Sequence, residues 1–100
     1  MKTIISLSII IPTLNNVKGL KNLLTYFKDK PYKVIVIDNK PTNEKKQLIE
    51  FFGSRVNELT SLNYLSQKRN LGFAGSINLG AKFVKTKWLL ILNDDIEFDN

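Results

Sequence analysis

A chain of 100 residues with 43% hydrophobic and 24% charged residues has the composition of one modest globular domain. It contains no cysteine and no histidine, which excludes disulfide bonds, thiolate metal sites and Ser-His or Cys-His nucleophile pairs. The net charge of +6 favours anionic partners such as nucleic acid, nucleotide phosphates or anionic lipid. Any chemistry therefore depends on carboxylates, amides, hydroxyls, cations or a bound metal.

The first apolar run follows Lys2 and extends from Ile4 to Ile11. It resembles a signal peptide only superficially, because it contains two serines and no small-x-small cleavage pattern follows it. β-branched residues dominate the run, so we predict a mostly buried strand that ends at Pro12. No run in the sequence is long enough to span a bilayer, and we expect a cytoplasmic location.

The next segment has apolar residues at three- and four-residue spacing, which predicts an amphipathic helix. Asn15 or Asn16 is suited to cap its N-terminus. The apolar residues are Val17, Leu20, Leu23, Leu24 and Phe27.

A second strand is predicted from Lys33 to Asp38, where the sequence is again continuously apolar. A second helix is predicted to begin near Glu44, with Thr42 or Asn43 as its cap, and to end at Gly53. The residues expected on its apolar face are Leu48, Ile49, Phe51 and Phe52.

The last third of the chain predicts one more helix between two strands. Leu62 to Ser66 forms a short third strand, and Trp88 to Asn93 forms an apolar, buried fourth strand. The helix between them carries an apolar stripe of Ala74, Ile77, Ala81 and Val84. Strands that alternate with helices in this way predict the α/β class, with a Rossmann-like α/β/α arrangement of about four parallel strands and three helices.

Candidate site residues follow each predicted strand, at the edge where the carboxyl ends of parallel strands meet. They are Pro12, Thr13, Leu14 and Asn15 after the first strand, Asp38 and Asn39 after the second, Lys68, Arg69, Asn70 and Gly72 after the third, and Asn93, Asp94 and Asp95 after the fourth. We therefore expect a ligand site at this edge of the sheet.

Asp94 and Asp95 are adjacent carboxylates directly after an apolar strand. Two bare carboxylates repel each other, and a divalent cation relieves that repulsion. Oxygen ligands without Cys or His favour Mg²⁺ or Mn²⁺, held by one or two protein carboxylates plus substrate phosphates. The alternative interpretation is structural, with the two residues capping a turn.

Two further features of this edge also have alternative interpretations. Asp38 and Asn39 suit hydrogen bonds to a nucleobase or ribose, or an Asx-turn into the following loop. The glycines at 72, 75 and 80 lack the G-x-G-x-x-G spacing, and no Gly-Lys-Ser/Thr phosphate loop is present. We interpret these glycines as allowing a tight entry to the helix and close packing on the sheet.

Four segments, in this order, resemble the nucleotide-binding half of family 2 glycosyltransferases, the inverting group of GT-A fold. "SIIIPTLNN" resembles the first strand with its Pro-Thr-x-Asn end, and "VIVIDNKPT" the second strand with its Asp-Asn-x-Ser/Thr turn. "NLGFAGSINLGAKF" is similar to the Asn-x-Gly-x-x-x-x-x-Asn-x-Gly signature, and "LLILNDDIEF" resembles the strand and acidic motif called DxD. The form Asn-Leu-Gly-Phe-Ala-Gly looks most like bacterial rhamnosyltransferase-type members.

The resemblance implies transfer of a sugar, with inversion, from a nucleotide-diphosphate donor of UDP or dTDP type to a saccharide or lipid-linked acceptor. It implies a role in cell-wall or polysaccharide biosynthesis and no nucleic-acid partner. By position, the resemblance implies that Pro12 and Thr13 would border the nucleotide and that Asp38 or Asn39 would contact the base or the ribose. Asn70 and Gly72 would line the nucleotide pocket, and Asn78 would steady the helix that frames it. Asp94 would lie near the ribose and the sugar, and Asp95, with Asp94, would bind Mg²⁺ or Mn²⁺.

The sequence also departs from the family pattern. Leu14 stands where an aromatic residue is common, Asn93 where many members have Asp, and Lys40 and Pro41 replace small residues. Family domains continue past the acidic motif into an acceptor-binding half with the general base. We therefore expect residues 1–100 to be the N-terminal nucleotide-sugar-binding portion of a longer, cytoplasmic or membrane-associated protein. On this expectation, the portion binds nucleotide without turnover, and its open fourth strand promotes self-association.

Three other classes of protein are alternatives to this interpretation. A receiver-type phosphoacceptor domain needs an acidic pair after the first strand, where this chain has Pro12 and Thr13. A nucleic-acid-binding module would present exposed aromatic residues on a basic sheet, whereas the aromatic residues here are expected to face mainly the core. A nucleotidyltransferase would carry a Gly-rich loop with Arg and Lys after the first strand, and the chain has none there.

Overall fold

The computed structural model describes residues 6–54 and 61–98, in which strands and helices alternate along the chain. The elements are β1 (Leu7–Thr13), α1 (Val17–Phe27), β2 (Lys33–Asp38), α2 (Asn43–Gly53), β3 (Ser61–Ser66), α3 (Gly72–Ala81) and β4 (Trp88–Ile91). This arrangement confirms the predicted α/β class. Ile4 and Ile5, which the first predicted strand included, lie outside the described residues.

The four strands form one parallel sheet in the order β3-β2-β1-β4. The chain moves outward from β1 to β2 and β3, and α3 then returns it to the other side of β1. Ile10 of β1 is paired with Ile35 of β2 and with Ile91 of β4. The strand order therefore reverses between β1 and β4, which is where parallel α/β sheets bind ligands.

The predicted end of the first strand at Pro12 is wrong, because β1 continues through Pro12 to Thr13. The carbonyl of Ile10 accepts a hydrogen bond from the N–H of Leu92 and so faces β4. Pro12, two residues further along, faces the same side, where β4 has already ended at Ile91. The missing N–H of proline therefore costs the sheet no ladder hydrogen bond.

Helices cover both faces of the sheet, which gives the three-layer arrangement. On one face, α1 and α2 pack against odd-numbered β1 residues such as Ile9 and Ile11, with Leu20, Leu23, Leu24, Phe27 and Phe52 fully buried between them. On the other face, α3 packs against Ile10, Ile35 and Ile37. The caps match the sequence prediction, since the side chains of Asn16 and Thr42 accept from the third N–H of α1 and α2.

The predicted apolar stripe of α3 is confirmed for Ile77 and Val84, which pack against the core cluster on that face of the sheet, and is wrong for its two alanines. Ala74 and Ala81 are exposed, and the fully buried residues of the helix are Ser76 and Gly80. A Cβ added to Gly80 would lie 2.9 Å from Cδ1 of Ile10, so the helix backbone lies almost directly on β1. Small residues allow this close approach, and hydrophobicity alone does not identify such a face.

Two further burial predictions are wrong. On α2, Leu48, Ile49 and Phe52 face the core as predicted, but Phe51 is 48% exposed. Lys45, which was not predicted to be buried, is almost completely buried. The fourth strand, expected to be buried, lies at the edge of the sheet with all four side chains between 38% and 63% exposed. Half of the aromatic residues do not face the core as expected; the exposed ones are Phe51, Phe73, Phe83, Trp88 and Phe98. Within the described residues, no helix has the length and apolarity needed to cross a membrane.

Candidate functional site at the carboxyl ends of the strands

A cavity of about 420 Å³ opens where the strand order reverses, at the carboxyl ends of β1 and β4. We call it the rim cavity. Its walls are Pro12, Thr13, Leu14, Asn15, Asn16, Asn39, Asn70, Gly72, Phe73, Asn93 and Asp94. Nine of the thirteen candidate residues named after the four strands therefore meet here, and the four that do not are Asp38, Lys68, Arg69 and Asp95.

Asn16 joins the first helix to the acidic segment after β4. Its Oδ1 accepts from the N–H of Gly19, and its Nδ2 donates to the backbone oxygen of Asp94 at 3.1 Å. Gly19 is buried at this contact, and a Cβ added to it would lie 1.8 Å from the same Asp94 oxygen. The acidic segment therefore lies directly on the first turn of α1, and a glycine is required for that contact.

Thr13 orients the side chain of Asp94. Thr13 is buried at the end of β1, and its Oγ1 donates to Oδ2 of Asp94 over 2.8 Å, across 81 positions of sequence. Asp94 also borders a second, smaller cavity of about 190 Å³ with Asn16, Lys18, Gly19, Asn22, Asp95 and Glu97. Asp94 thus stands between the two cavities, and Asp95 is exposed beside the smaller one.

The acidic pair suits a cation that arrives with phosphate. Across residues 6–54 and 61–98, no group of three or more His, Cys, Asp and Glu side chains could hold a metal ion. Asp94 and Asp95 supply two carboxylates, of which one oxygen is already bonded to Thr13. Mg²⁺ commonly binds one or two protein carboxylates and takes its other ligands from substrate phosphates and water. This donor set therefore fits a cation shared with a diphosphate.

The wall opposite the acidic pair is held by two asparagines. Asn39 is buried; its Nδ2 donates to Oγ of Ser76 at 2.7 Å, and its Oδ1 accepts from the N–H of Leu71 at 3.0 Å. Asn70 is exposed, and its Oδ1 accepts from the N–H of Gly72 at 2.8 Å. Gly72 has a φ of +73°, a backbone conformation that glycine adopts readily, so the loop turns sharply into α3.

Asp38 lies beneath the rim cavity in a buried polar network. Its carboxylate is 2.7 Å from Nζ of Lys45, and it also accepts from the hydroxyl of Tyr64 and the N–H of Lys40. Lys45 extends further and donates to the carbonyl of Leu14, one of the cavity walls. Asp38 and Lys45 are almost completely buried, so at the end of β2 the residue that faces the cavity is Asn39. Contact of Asp38 with a base or ribose stays a prediction.

The neighbouring tyrosine has a perturbed acidity. Burial, the hydrogen bond to Asp38 and the negative charge of that carboxylate together raise the pKa of Tyr64 above its usual range. The phenol therefore remains a protonated donor to Asp38 throughout neutral and moderately basic solution.

Sequence reasoning missed several residues of this site. Ser76 links α3 to the site by donating to the carbonyl of Gly72 and accepting from Asn39, whereas Asn78 is exposed on the helix. No role was predicted from the sequence for Lys45 or Phe73. A lysine seven positions after a strand-end aspartate is the one local signal that could have indicated the buried pair.

The family model described as "Glycosyl transferase family 2" matches residues 8–100, which is nearly the whole chain. The chain belongs to glycosyl transferase family 2. This confirms the resemblance stated from its four motifs. No curated protein matches the chain.

Solved structures share the fold of this glycosyltransferase domain. The S. aureus TarS crystal structure has a TM-score of 0.73 and 25% identity, over 91% of this chain and 17% of that chain. TarS 1–349 in complex with UDP has a TM-score of 0.71 and 24% identity, over 91% of this chain and 28% of that chain. The mannosyltransferase PcManGT from Pyrobaculum calidifontis, in complex with GDP-Man and Mn²⁺, has a TM-score of 0.78 and 15% identity, over 95% of this chain and 29% of that chain.

These similarities define the domain as an α/β domain of GT-A type. The chain spans 17–29% of the length of these three structures, so it corresponds to a part of each.

Proposed function

We propose that this glycosyltransferase domain binds a nucleoside-diphosphate sugar in the rim cavity, together with Mg²⁺ or Mn²⁺ at Asp94 and Asp95. The observation that carries the proposal is the hydrogen bond from Thr13 to Asp94, at the point where strand order reverses. It fixes a carboxylate on the wall of a cavity otherwise lined by amides, a hydroxyl and apolar groups. The UDP complex of TarS 1–349 and the GDP-Man and Mn²⁺ complex of PcManGT support a ligand of this kind.

The walls divide the cavity chemically. The negative end is Asp94, with Asp95 beside it, where a cation would offset the charge that grows on a departing diphosphate. The uncharged end is formed by Asn39, Asn70 and the turn at Gly72, where amide groups suit a base or ribose. We assign Pro12 and Thr13 to the border between the two ends, below the nucleotide.

The finer features of the activity are part of the same proposal. We propose inverting transfer, a UDP or dTDP donor of rhamnosyltransferase-like type, and a saccharide or lipid-linked acceptor in cell-wall or polysaccharide biosynthesis. We also propose a cytoplasmic location, with membrane association of the longer protein. The family match favours this interpretation over the receiver-like and nucleic-acid-binding alternatives.

Calorimetry tests the donor site directly. UDP, dTDP and GDP are titrated into the 100-residue chain with and without Mg²⁺ or Mn²⁺, and into Asp95→Ala. The matched control is Glu50→Ala, which removes an exposed carboxylate from α2, away from the rim cavity. We expect binding that requires the cation, is at least tenfold weaker in Asp95→Ala and is unchanged in Glu50→Ala. A nucleotide affinity that is the same with and without the cation, and the same in wild type and Asp95→Ala, would contradict the metal assignment.

A further inference from the structure

We propose that the side chain of Phe73 is the stacking platform for the nucleobase in the rim cavity. This inference rests on the proposed function, because it specifies which part of the donor binds at which wall. It concerns a residue at the start of α3 that no sequence motif had connected with the ligand.

Phe73 is exposed at the wall of the cavity, unlike the core phenylalanines. Its exposed fraction is 57%, against 4% for both Phe27 and Phe52. A large aromatic side chain that is exposed to water lacks the stabilisation that burial would give it, so an exposed ring at a cavity suggests a ligand that covers it. A planar nucleobase covers an aromatic ring efficiently, and every base offers a π-face for stacking.

The backbone that carries Phe73 is held on several sides. The N–H of Leu71 donates to Asn39 and the N–H of Gly72 donates to Asn70. The carbonyl of Gly72 accepts from Ser76, which is buried against the sheet. The backbone position of Phe73 is therefore established before the ligand arrives, and less backbone ordering entropy is lost on binding.

Charge decides which part of the donor meets the ring. Among the residues that line the rim cavity, Asp94 alone is charged, and it lies after β4. Phe73 lies two residues from the Leu71 N–H that is bonded to Asn39, after β2, so it belongs to the uncharged end. The diphosphate and its cation belong near Asp94, and the neutral heterocycle belongs near Phe73. Leu14 supplies a second apolar wall, but it has no ring to stack.

Titration by calorimetry and NMR tests the inference with matched variants. UDP, dTDP, GDP and inorganic diphosphate are titrated with Mn²⁺ for calorimetry and Mg²⁺ for NMR, into wild type, Phe73→Leu and Phe73→Trp. The control is Phe83→Leu, which changes another exposed phenylalanine that does not line the rim cavity. Because stacking on an aromatic side chain is worth about 1–3 kcal/mol per base, we expect nucleotide affinity to fall about five- to 150-fold in Phe73→Leu.

The remaining expected results separate stacking from a general loss of structure. Phe73→Trp and Phe83→Leu should keep wild-type affinity, and diphosphate should bind all variants equally. Base protons should shift upfield on binding to wild type and not on binding to Phe73→Leu. UDP-glucose is added to distinguish base from sugar, and its affinity should fall by the same factor as that of UDP.

Each contrary outcome has a distinct meaning. Equal nucleotide affinity in wild type and Phe73→Leu would overturn the stacking role and leave the donor site intact. The stacking role would also be overturned if Phe73→Leu lost affinity equally for diphosphate and nucleotide, or lost affinity only for the nucleotide-sugar. If wild type binds none of the nucleotides, the proposed donor site itself is overturned, and the stacking role with it.

Discussion

A buried ion pair supports the floor of the rim cavity. The Nζ of Lys45 lies 2.7 Å from Asp38 and 2.6 Å from the carbonyl of Leu14, and Tyr64 donates its hydroxyl to the same carboxylate. The network thus connects α2, β2, β3 and the loop after β1. With both charged side chains at least 99% buried, the loss of either partner leaves an uncompensated charge in the interior.

We expect Lys45→Met to destabilise the domain by about 3–5 kcal/mol, because it leaves the Asp38 carboxylate buried without a counter-charge. The combined variant Asp38→Asn and Lys45→Met removes both charges and should recover more than half of that loss. Urea unfolding, monitored by circular dichroism, measures the stability of both variants. A Lys45→Met variant as stable as wild type would show that the pair is not buried as described.

Gly19 is the second residue at which a small change should have a large effect. Gly19→Ala places a Cβ within 1.8 Å of the Asp94 backbone oxygen, so α1 and the acidic segment must separate. We expect a loss of stability of about 1–3 kcal/mol and weaker cation-dependent nucleotide binding. Thermal unfolding and calorimetry measure these effects.

Gly53→Ala is the matched control for Gly19→Ala. Among residues 6–54 and 61–98, a Cβ added at Gly53, the last residue of α2, meets nothing within 4 Å. Alanine there should be neutral or stabilising by about 0.5–1 kcal/mol, because it reduces the entropy of the unfolded chain. Similar losses in both variants would show that Gly19 has no special contact with Asp94.

At the scale of the elements, β4 is the least covered part of the sheet. It is an edge strand of four residues, and its side chains Trp88, Leu89, Leu90 and Ile91 are exposed. The N–H of Trp88 donates to the carbonyl of Ser6, just before β1. By alternation the N–H of Leu90 also faces β1, and the N–H groups of Leu89 and Ile91 face the open edge. An apolar edge with unpaired backbone groups favours pairing with another strand.

We expect the 100-residue chain to associate as its concentration rises, through the open edge of β4. Leu89→Pro removes an outward N–H and should reduce association while the fold remains. Leu90→Pro removes an inward N–H and should instead destabilise the sheet. Light scattering and circular dichroism distinguish the two effects. A strictly monomeric wild type at high concentration would contradict the prediction.

At the scale of the whole molecule, the chain spans less than a third of the length of the similar structures. The proposed donor site would supply walls for a nucleotide and a place for a cation. Deprotonation of an acceptor hydroxyl needs a positioned general base, which the family resemblance places after the acidic motif. Binding and transfer should therefore be separable in this chain.

We expect the 100-residue chain to bind nucleotide without transferring sugar. UDP-glucose and dTDP-rhamnose, each labelled in the sugar, are incubated with the chain, Mn²⁺ and saccharide acceptors, and products are separated by chromatography. Nucleotide binding in the same samples serves as the positive control. Measurable transfer to any acceptor would contradict the assignment of the general base to residues outside this chain.

The order of elements and the helix caps followed directly from the sequence. Apolar runs identified the strands, and Asn16 and Thr42 were among the predicted caps, because a cap bonds to an N–H only three residues away. The edge of the sheet that carries the candidate site also followed, since all strands of a parallel sheet end on the same side. Burial was predicted less well, as α3 shows: Ser76 and Gly80 are buried there and Ala74 is exposed.

The sequence by itself determined the element order, the α/β class and the family motifs, because these depend on local periodicity and on short segments. The strand order β3-β2-β1-β4, the exposed edge at β4 and the burial of Lys45 were decided by the tertiary structure. The tertiary structure also decided how the acidic pair is divided: Asp94 is hydrogen-bonded to Thr13 across 81 positions, and Asp95 lies beside the smaller cavity. Such contacts join residues far apart in the chain, and no local pattern encodes the direction in which packed elements place their side chains.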